Sequence, residues 1–144
     1  MKRALFDSDV LLDVLAQRQP FVVASAQALN TVMQQQVQGY VSGHAVTNLF
    51  YILRRYILRR QLGSEAARNL LLTLLQQIQV ASVTDEVVRS ALQSSIADFE
   101  DAVTSEAAFA AGLEVIVTRN ISDFVASSVP AMRPEEFLTT LSEL

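Results

Sequence analysis

Short apolar runs alternate along this chain with longer segments whose apolar residues recur every three or four positions. Arg3–Asp7 (RALFD) is a brief apolar run ending in acid and predicts a buried strand. Ser8–Ala16 follows with Val10, Leu11, Val14 and Leu15 at helical spacing. Gln19-Pro20 marks a turn, with Pro20 suited to a first helical position, and Phe21–Gln36 carries Val22, Ala26, Leu29 and Met33 on one side of a long helix. The polar Gln34-Gln35-Gln36 tail is expected at the surface, and Gly39 is expected to stop the helix. Tyr40-Val41-Ser42 predicts a second strand. His44–Arg60 predicts a helix with Leu49, Ile52, Leu53, Tyr56 and Ile57 on its apolar side. Leu62-Gly63-Ser64 breaks it, with Ser64 placed to cap Glu65–Gln76. Ile78–Val83 alternates as a third strand. Thr84 is a cap for the next helix, with Asp85 and Glu86 in its first turn. Asp98–Ala111 is helical and ended by Gly112, Glu114–Thr118 (EVIVT) is the fourth strand, Val129–Met132 a short fifth, and Pro134-Glu135-Glu136 opens a terminal helix.

Strands separated by helices in this order predict a three-layer α/β/α fold with a mostly parallel sheet of about five strands. At 144 residues the chain is expected to form one domain, residues 1–144, and its 51% apolar content supplies a core without staples. There is no cysteine, which removes disulfides and thiolate metal sites and fits a reducing, cytoplasmic setting. Lys2 and Arg3 resemble the start of a leader, but Asp7, Asp9 and Asp13 interrupt the apolar stretch one would need. No apolar run approaches the ~18 residues of a membrane span, so no membrane association is expected. The net charge of −4 argues against a passive nucleic-acid coat, whose affinity comes from neutralising phosphates. It does not argue against a nuclease, because a carboxylate site is itself acidic until a cation is bound.

Acids recur where apolar segments meet turns: LFDSDV at Leu5–Val10, DFEDA at Asp98–Ala102 and TRNISDF at Thr118–Phe124. In parallel sheets ligands bind beyond the carboxyl ends of the strands. Asp7 closes the first strand and Asp123 follows the fourth, while Asp101 starts the helix between them. Brought together, the three would repel one another unless a divalent cation lay between them. Oxygen ligands without cysteine suit Mg²⁺ or Mn²⁺ and metal-assisted phosphodiester hydrolysis.

These segments resemble the PIN-domain ribonucleases, the family that includes VapC-type toxins. LFDSDVLLDVL is similar to the family's opening strand and its metal-binding aspartate, here Asp7. DFEDAVTSEAAFAAGLEVIVTRNISDF resembles its second half, with Asp101 at the main acidic position and TRNISDF where the last acid ligand sits. The resemblance spans almost the whole chain and implies a PIN-like fold. It also implies an Mg²⁺- or Mn²⁺-dependent endoribonuclease leaving 5′-phosphate and 3′-hydroxyl ends, an RNA substrate, a small antitoxin partner and a homodimer. Two positions depart from the family pattern. Asn48 stands where a glutamate is usual, and Asn120 where an aspartate often follows the TR pair, so the expected acids fall from four to three.

The remaining candidates each carry a plainer alternative. Asp7 can stop a strand or cap a helix; Asp9 is a supporting group or an exposed first-turn acid; Asp98 and Glu100 suit a helix N-terminus. Asp13 is expected to be solvated, and His44, the only histidine, to be a cap or surface group. Asn48 and Asn120 can bind a metal through a carbonyl, position a water, or shape local structure. Arg54 and Arg55, with Arg59 and Arg60, form either a solvated helix face or a strip for RNA phosphates, and Arg119 is a candidate phosphate contact beside the site. Leu70–Leu75 is core or a subunit interface. Two other functions compete. A PIN-fold RNA- or protein-binding module without catalysis is favoured by the two asparagines. A haloacid-dehalogenase-like phosphatase is suggested by the D-x-D-x-V pattern at Asp7 and Asp9, but it needs a downstream lysine, and Lys2, the sole lysine, precedes the motif.

Overall fold

The computed structural model describes residues 1–59 and 64–142. Arg60 and the Leu62-Gly63 break fall outside the described residues, as do the side chains of Ile57 and Arg59. Five strands, β1 (Lys2–Phe6), β2 (Val37–Ser42), β3 (Gln79–Ala81), β4 (Val115–Val117) and β5 (Ala131–Met132), lie in the order β3-β2-β1-β4-β5. Every pairing among them is parallel, as the predicted alternation requires. The helices are α1 (Ser8–Leu15), α2 (Val22–Met33), α3 (Gly43–Arg59), α4 (Ser64–Leu74), α5 (Asp85–Leu92), α6 (Phe99–Ala110) and α7 (Pro134–Ser142).

The strand period of two divides the core into two layers. Ala4, Phe6, Val37, Val41, Val115 and Val117 face one side, which α1, α2, α3, α4 and α7 cover. Leu5, Tyr40, Ala81 and Ile116 face the other, covered by α5 and α6. Phe137 of α7 meets Phe6 edge-on at 6.2 Å between ring centres, fixing the terminal helix to the central strand. Chain order runs outward from β1 to β2 and β3, then returns to the other flank of β1 for β4 and β5. This reversal makes the carboxyl ends of β1 and β4 a topological switch point, the place where parallel sheets bind ligands.

Local signals mostly act as predicted. The Thr84 hydroxyl accepts from the Val87 N–H at 3.2 Å, and Asp98 caps α6 by accepting from the Asp101 N–H at 3.0 Å. Gly112, with φ +69°, takes the left-handed conformation that ends α6. Gly39 is a correction: it does not end α2 but lies inside β2, opposite Ala4. The helix stops within the glutamine tract, where Gln35 adopts φ +60° and the Gln36 N–H donates to Thr31 O at 2.9 Å. β2 consequently begins three residues earlier than its apolar run, because Gln38 and Gly39 interrupt the pattern without interrupting the ladder. β3 is shorter than Ile78–Val83.

The glycine at 39 is needed for closeness. A β-carbon there would sit 2.7 Å from Val32 Cγ2 and 3.0 Å from Ile78 Cγ2. Gly39→Ala should therefore lower stability by about 1–3 kcal/mol, the usual cost of overpacking. Urea unfolding measures it, and an unchanged midpoint would show that Val32 and Ile78 yield without cost.

Candidate active site

Asp7 follows β1 directly. Its N–H donates to Val117 O at 2.9 Å, adding one rung to the β1–β4 ladder. Its carboxylate accepts from the Ser8 N–H at 2.8 Å and from the buried Thr118 hydroxyl at 2.9 Å. Asp7 is thus both the cap of α1 and a buried acid at the switch point. Burial, then repulsion from Asp9, raises its pKa to about 7 despite those two hydrogen bonds. Asp101, in the first turn of α6, is raised to about 6 by partial burial and then by Asp98, Asp123, Glu100 and Asp9. Asp7 also responds to Asp101.

Asp9 is not a free first-turn acid. Its Oδ2 accepts from the Arg119 N–H at 3.1 Å and the Asn120 carboxamide at 3.2 Å, tying α1 to the turn after β4. Its Oδ1 is buried and accepts no hydrogen bond from the protein. Burial raises its pKa above the usual carboxylate range. An unsatisfied buried carboxylate oxygen beside two more raised acids, all of them oxygen donors, fits a hard divalent cation. Among the described residues, no three acidic or histidine side chains lie grouped closely enough to hold a metal ion as they stand.

Asp13 corrects the expectation of a solvated residue. It is fully buried, because three cationic or hydroxyl groups converge on it from distant segments. Arg119 grips it with two bonds, Nε to Oδ2 at 2.8 Å and Nη2 to Oδ1 at 3.2 Å. Arg18 approaches to 2.9 Å and the Ser25 hydroxyl donates at 3.0 Å. The Arg119 guanidinium also lies 3.8 Å from the centre of the Phe21 ring. Arg119, read as a phosphate contact, is therefore occupied within the protein. Its charge neutralises Asp13 while its backbone N–H serves Asp9.

Asn120 reaches Asp9 rather than standing apart, and Asp123, on the 3₁₀ turn Ile121–Phe124, is exposed but close enough to act on Asp101. Asp98 remains a cap. Arg54 and Arg55 are exposed on α3. Two residues behave differently from their sequence reading. His44 is half-buried, with Nδ1 2.9 Å from Ser42 Oγ and Nε2 3.5 Å from Thr104 Oγ1, and burial lowers its pKa. Glu100, read as an acid suited to a helix N-terminus, accepts from the Asn48 carboxamide at 3.2 Å, bridging α6 to α3. The only sequence signal for Glu100 was its place inside DFEDA.

A family model described as a PIN domain matches residues 3–122, and the chain belongs to that family. Among solved structures, the VapC20 toxin of Mycobacterium tuberculosis, described as cleaving the sarcin–ricin loop, has a TM-score of 0.68 at 16% identity. The match covers 91% of this chain and 99% of that one. A toxin–antitoxin complex from Klebsiella pneumoniae gives 0.66 at 20%, covering 91% and 97%. VapBC2 of Rickettsia felis, bound to a DNA fragment from its promoter, gives 0.65 at 11%, covering 91% and 98%. These structures share the fold. No curated protein sequence matches.

The raised acids make the metal-free protein sensitive to pH. A carboxyl with a folded pKa near 7 and an ordinary unfolded value binds more protons folded than unfolded between about pH 4 and 7, so stability falls as pH rises through that window and levels off above it. The loss should be on the order of 2–4 kcal/mol, mostly from Asp7. Denaturant titration from pH 4 to 8 should show this slope in the native protein and a much flatter one in Asp7→Asn; equal slopes would remove Asp7 as its source.

Proposed function

We propose that this chain is a Mg²⁺- or Mn²⁺-dependent endoribonuclease, the toxin of a toxin–antitoxin pair. The observation that supports the reading is the acidic character of the carboxyl edge of β1 and β4, with the buried Asp7 held by Ser8 and Thr118, the unsatisfied Oδ1 of Asp9, and Asp101 at the start of α6. Asp7 and Asp101 would hold the cation, with Asp123 at the rim. A divalent ion held there would supply positive charge to the scissile phosphate and lower the pKa of an attacking water. The water oxygen bonds to phosphorus as the bond to the 3′ oxygen breaks, and that oxygen takes up a proton, leaving a 5′-phosphate and a 3′-hydroxyl.

The chain's own residues prepare that step. Thr118 and the Ser8 N–H fix the Asp7 carboxylate, and Asp98 fixes the backbone of Asp101. Asn120 and the Arg119 backbone hold Asp9 at the same edge. Arg54 and Arg55, exposed on α3, offer guanidinium groups to an RNA backbone. The antitoxin would be a small protein burying apolar side chains in the groove of about 630 Å³ between α1, α2, α3 and α4, which includes Val14, Leu15, Met33, Leu53, Leu70 and Leu74. That partner is suggested by the toxin–antitoxin complexes with the same fold. A homodimer working in the cytoplasm completes the reading; no described helix is long and apolar enough to cross a membrane.

Membership of the PIN family leaves the phosphatase alternative without support, and Asp9, engaged by the β4 turn, is ill placed to donate a proton. An inert binding module remains the second reading, because Asn48 and Asn120 are neutral. Purified protein with structured RNA and Mn²⁺ decides between them. Cleavage should occur and fall about 100-fold or more in Asp101→Asn, the scale of losing one charge-stabilising group. Equal cleavage by both proteins would overturn the assignment, and no cleavage by either would favour the inert module.

A further inference from the structure

Most of the described arginines are committed within the protein. Arg18 and Arg119 hold Asp13, Arg89 pairs with Asp85, Arg133 pairs with Glu136, and Arg3 donates to Gly112 O and the Tyr40 hydroxyl. Arg54 and Arg55 on α3 and Arg68 on α4 differ: all three are exposed, and none forms an ion pair among the described residues. They stand on two helices whose one acid is Glu65, in a chain of net charge −4. Tyr51 precedes Arg54 and Arg55 by three and four residues, so the three share a helix face. Between α3 and α4 lies a groove of about 430 Å³ that includes Val46, Phe50, Tyr51, Arg68 and Leu72. The Arg68 guanidinium sits 5.4 Å from the centre of the Phe50 ring, and Phe50 meets Tyr51 edge-on at 5.2 Å, yet Tyr51 is 54% exposed. The groove starts in the first turns of α3, at Val46 and Thr47. Asn48 beside them contacts Glu100, the residue before Asp101 in the first turn of α6.

We propose that the α3–α4 groove is a track for single-stranded RNA, in which Tyr51 stacks on an unpaired base and Arg54, Arg55 and Arg68 hold the flanking phosphates. The proposal rests on the ribonuclease reading. Guanidinium forks match phosphate oxygens, and every base offers a face to an aromatic ring. Phe50 and Arg68 brace Tyr51 from the protein side. A second copy of the chain is a poor occupant, because a two-fold contact would set these arginines against their own equivalents. The groove between α1, α2, α3 and α4 differs in kind: no charged residue lines it, which suits an apolar protein segment and not a nucleic acid.

The test is fluorescence anisotropy of a short labelled single-stranded RNA with the whole chain, in EDTA so that binding is read without cleavage. Tyr51→Ala should weaken binding about tenfold, the scale of one lost base stack, while Tyr51→Phe keeps most of the affinity. Arg68→Gln should weaken it about threefold and make the salt dependence shallower by roughly 0.7 in log–log slope, the share of one phosphate contact. Arg89→Gln removes the same charge from a guanidinium already paired with Asp85 and should change little. Melting curves confirm that each variant folds. If Tyr51→Ala and Arg68→Gln bind RNA as the unaltered protein does, the groove is overturned and the ribonuclease reading stands. If labelled poly-glutamate binds more tightly than RNA and is lost in Arg68→Gln, the surface serves an acidic protein segment and the RNA track is overturned. If the unaltered protein binds no RNA, the ribonuclease reading fails, and this proposal with it.

Discussion

Placing several carboxylates at the carboxyl edge of a parallel sheet opposes folding, and the surrounding structure is arranged around that cost. Asp7 has two good donors, the Ser8 N–H and the Thr118 hydroxyl, yet its pKa still rises to about 7. Desolvation and the neighbouring Asp9 thus outweigh the hydrogen bonds. A purely structural cap would be expected to gain from its charge, whereas here the charge is a liability in the unliganded protein. Such a liability is retained where something else takes advantage of it, and a divalent cation is the agent that fits oxygen donors alone.

The edge is held open by a second, oppositely balanced cluster. Asp13 is fully buried, but two arginines and a serine satisfy it, so its charge binds segments together. Through Arg119 it anchors the turn after β4 to α1 and α2. The same residue's N–H then secures Asp9. Asp13, fully compensated, and Asp9, with one oxygen unsatisfied, thus contrast within one helix. Removing a partner from a buried ion pair costs several kcal/mol, so this scaffold is costly to alter.

The fold was legible in the sequence because its signals are local. Apolar runs such as EVIVT, the Thr84 and Asp98 caps and the stop at Gly112 all state their structure within a few residues. Gly39 misled because glycine suits both a helix end and a close strand–helix approach, and only the position of Val32 tells them apart. That acids at 7, 101 and 123 fall after β1, at the start of α6 and after β4 could be read from motif order and family likeness. Asp13, Arg119, His44 and Glu100 could not. Their environments are made by partners up to 110 residues away, and nothing adjacent to Asp13 shows that Arg119 will reach it. Charge alone predicts exposure, and the pairing that reverses it belongs to the tertiary structure.

The arrangement gives one electrostatic logic to the whole edge. Neutral groups, Thr118, Asn120 and Asn48, touch the acids, while the arginine nearest them spends its charge on Asp13. Among the described residues, no arginine or lysine forms an ion pair with Asp7 or Asp101. Anomalous scattering from a crystal soaked in Mn²⁺ examines this most directly. The account predicts a peak in contact with the carboxylates of Asp7 and Asp101; a peak only on another face, or none at saturating Mn²⁺, would contradict it.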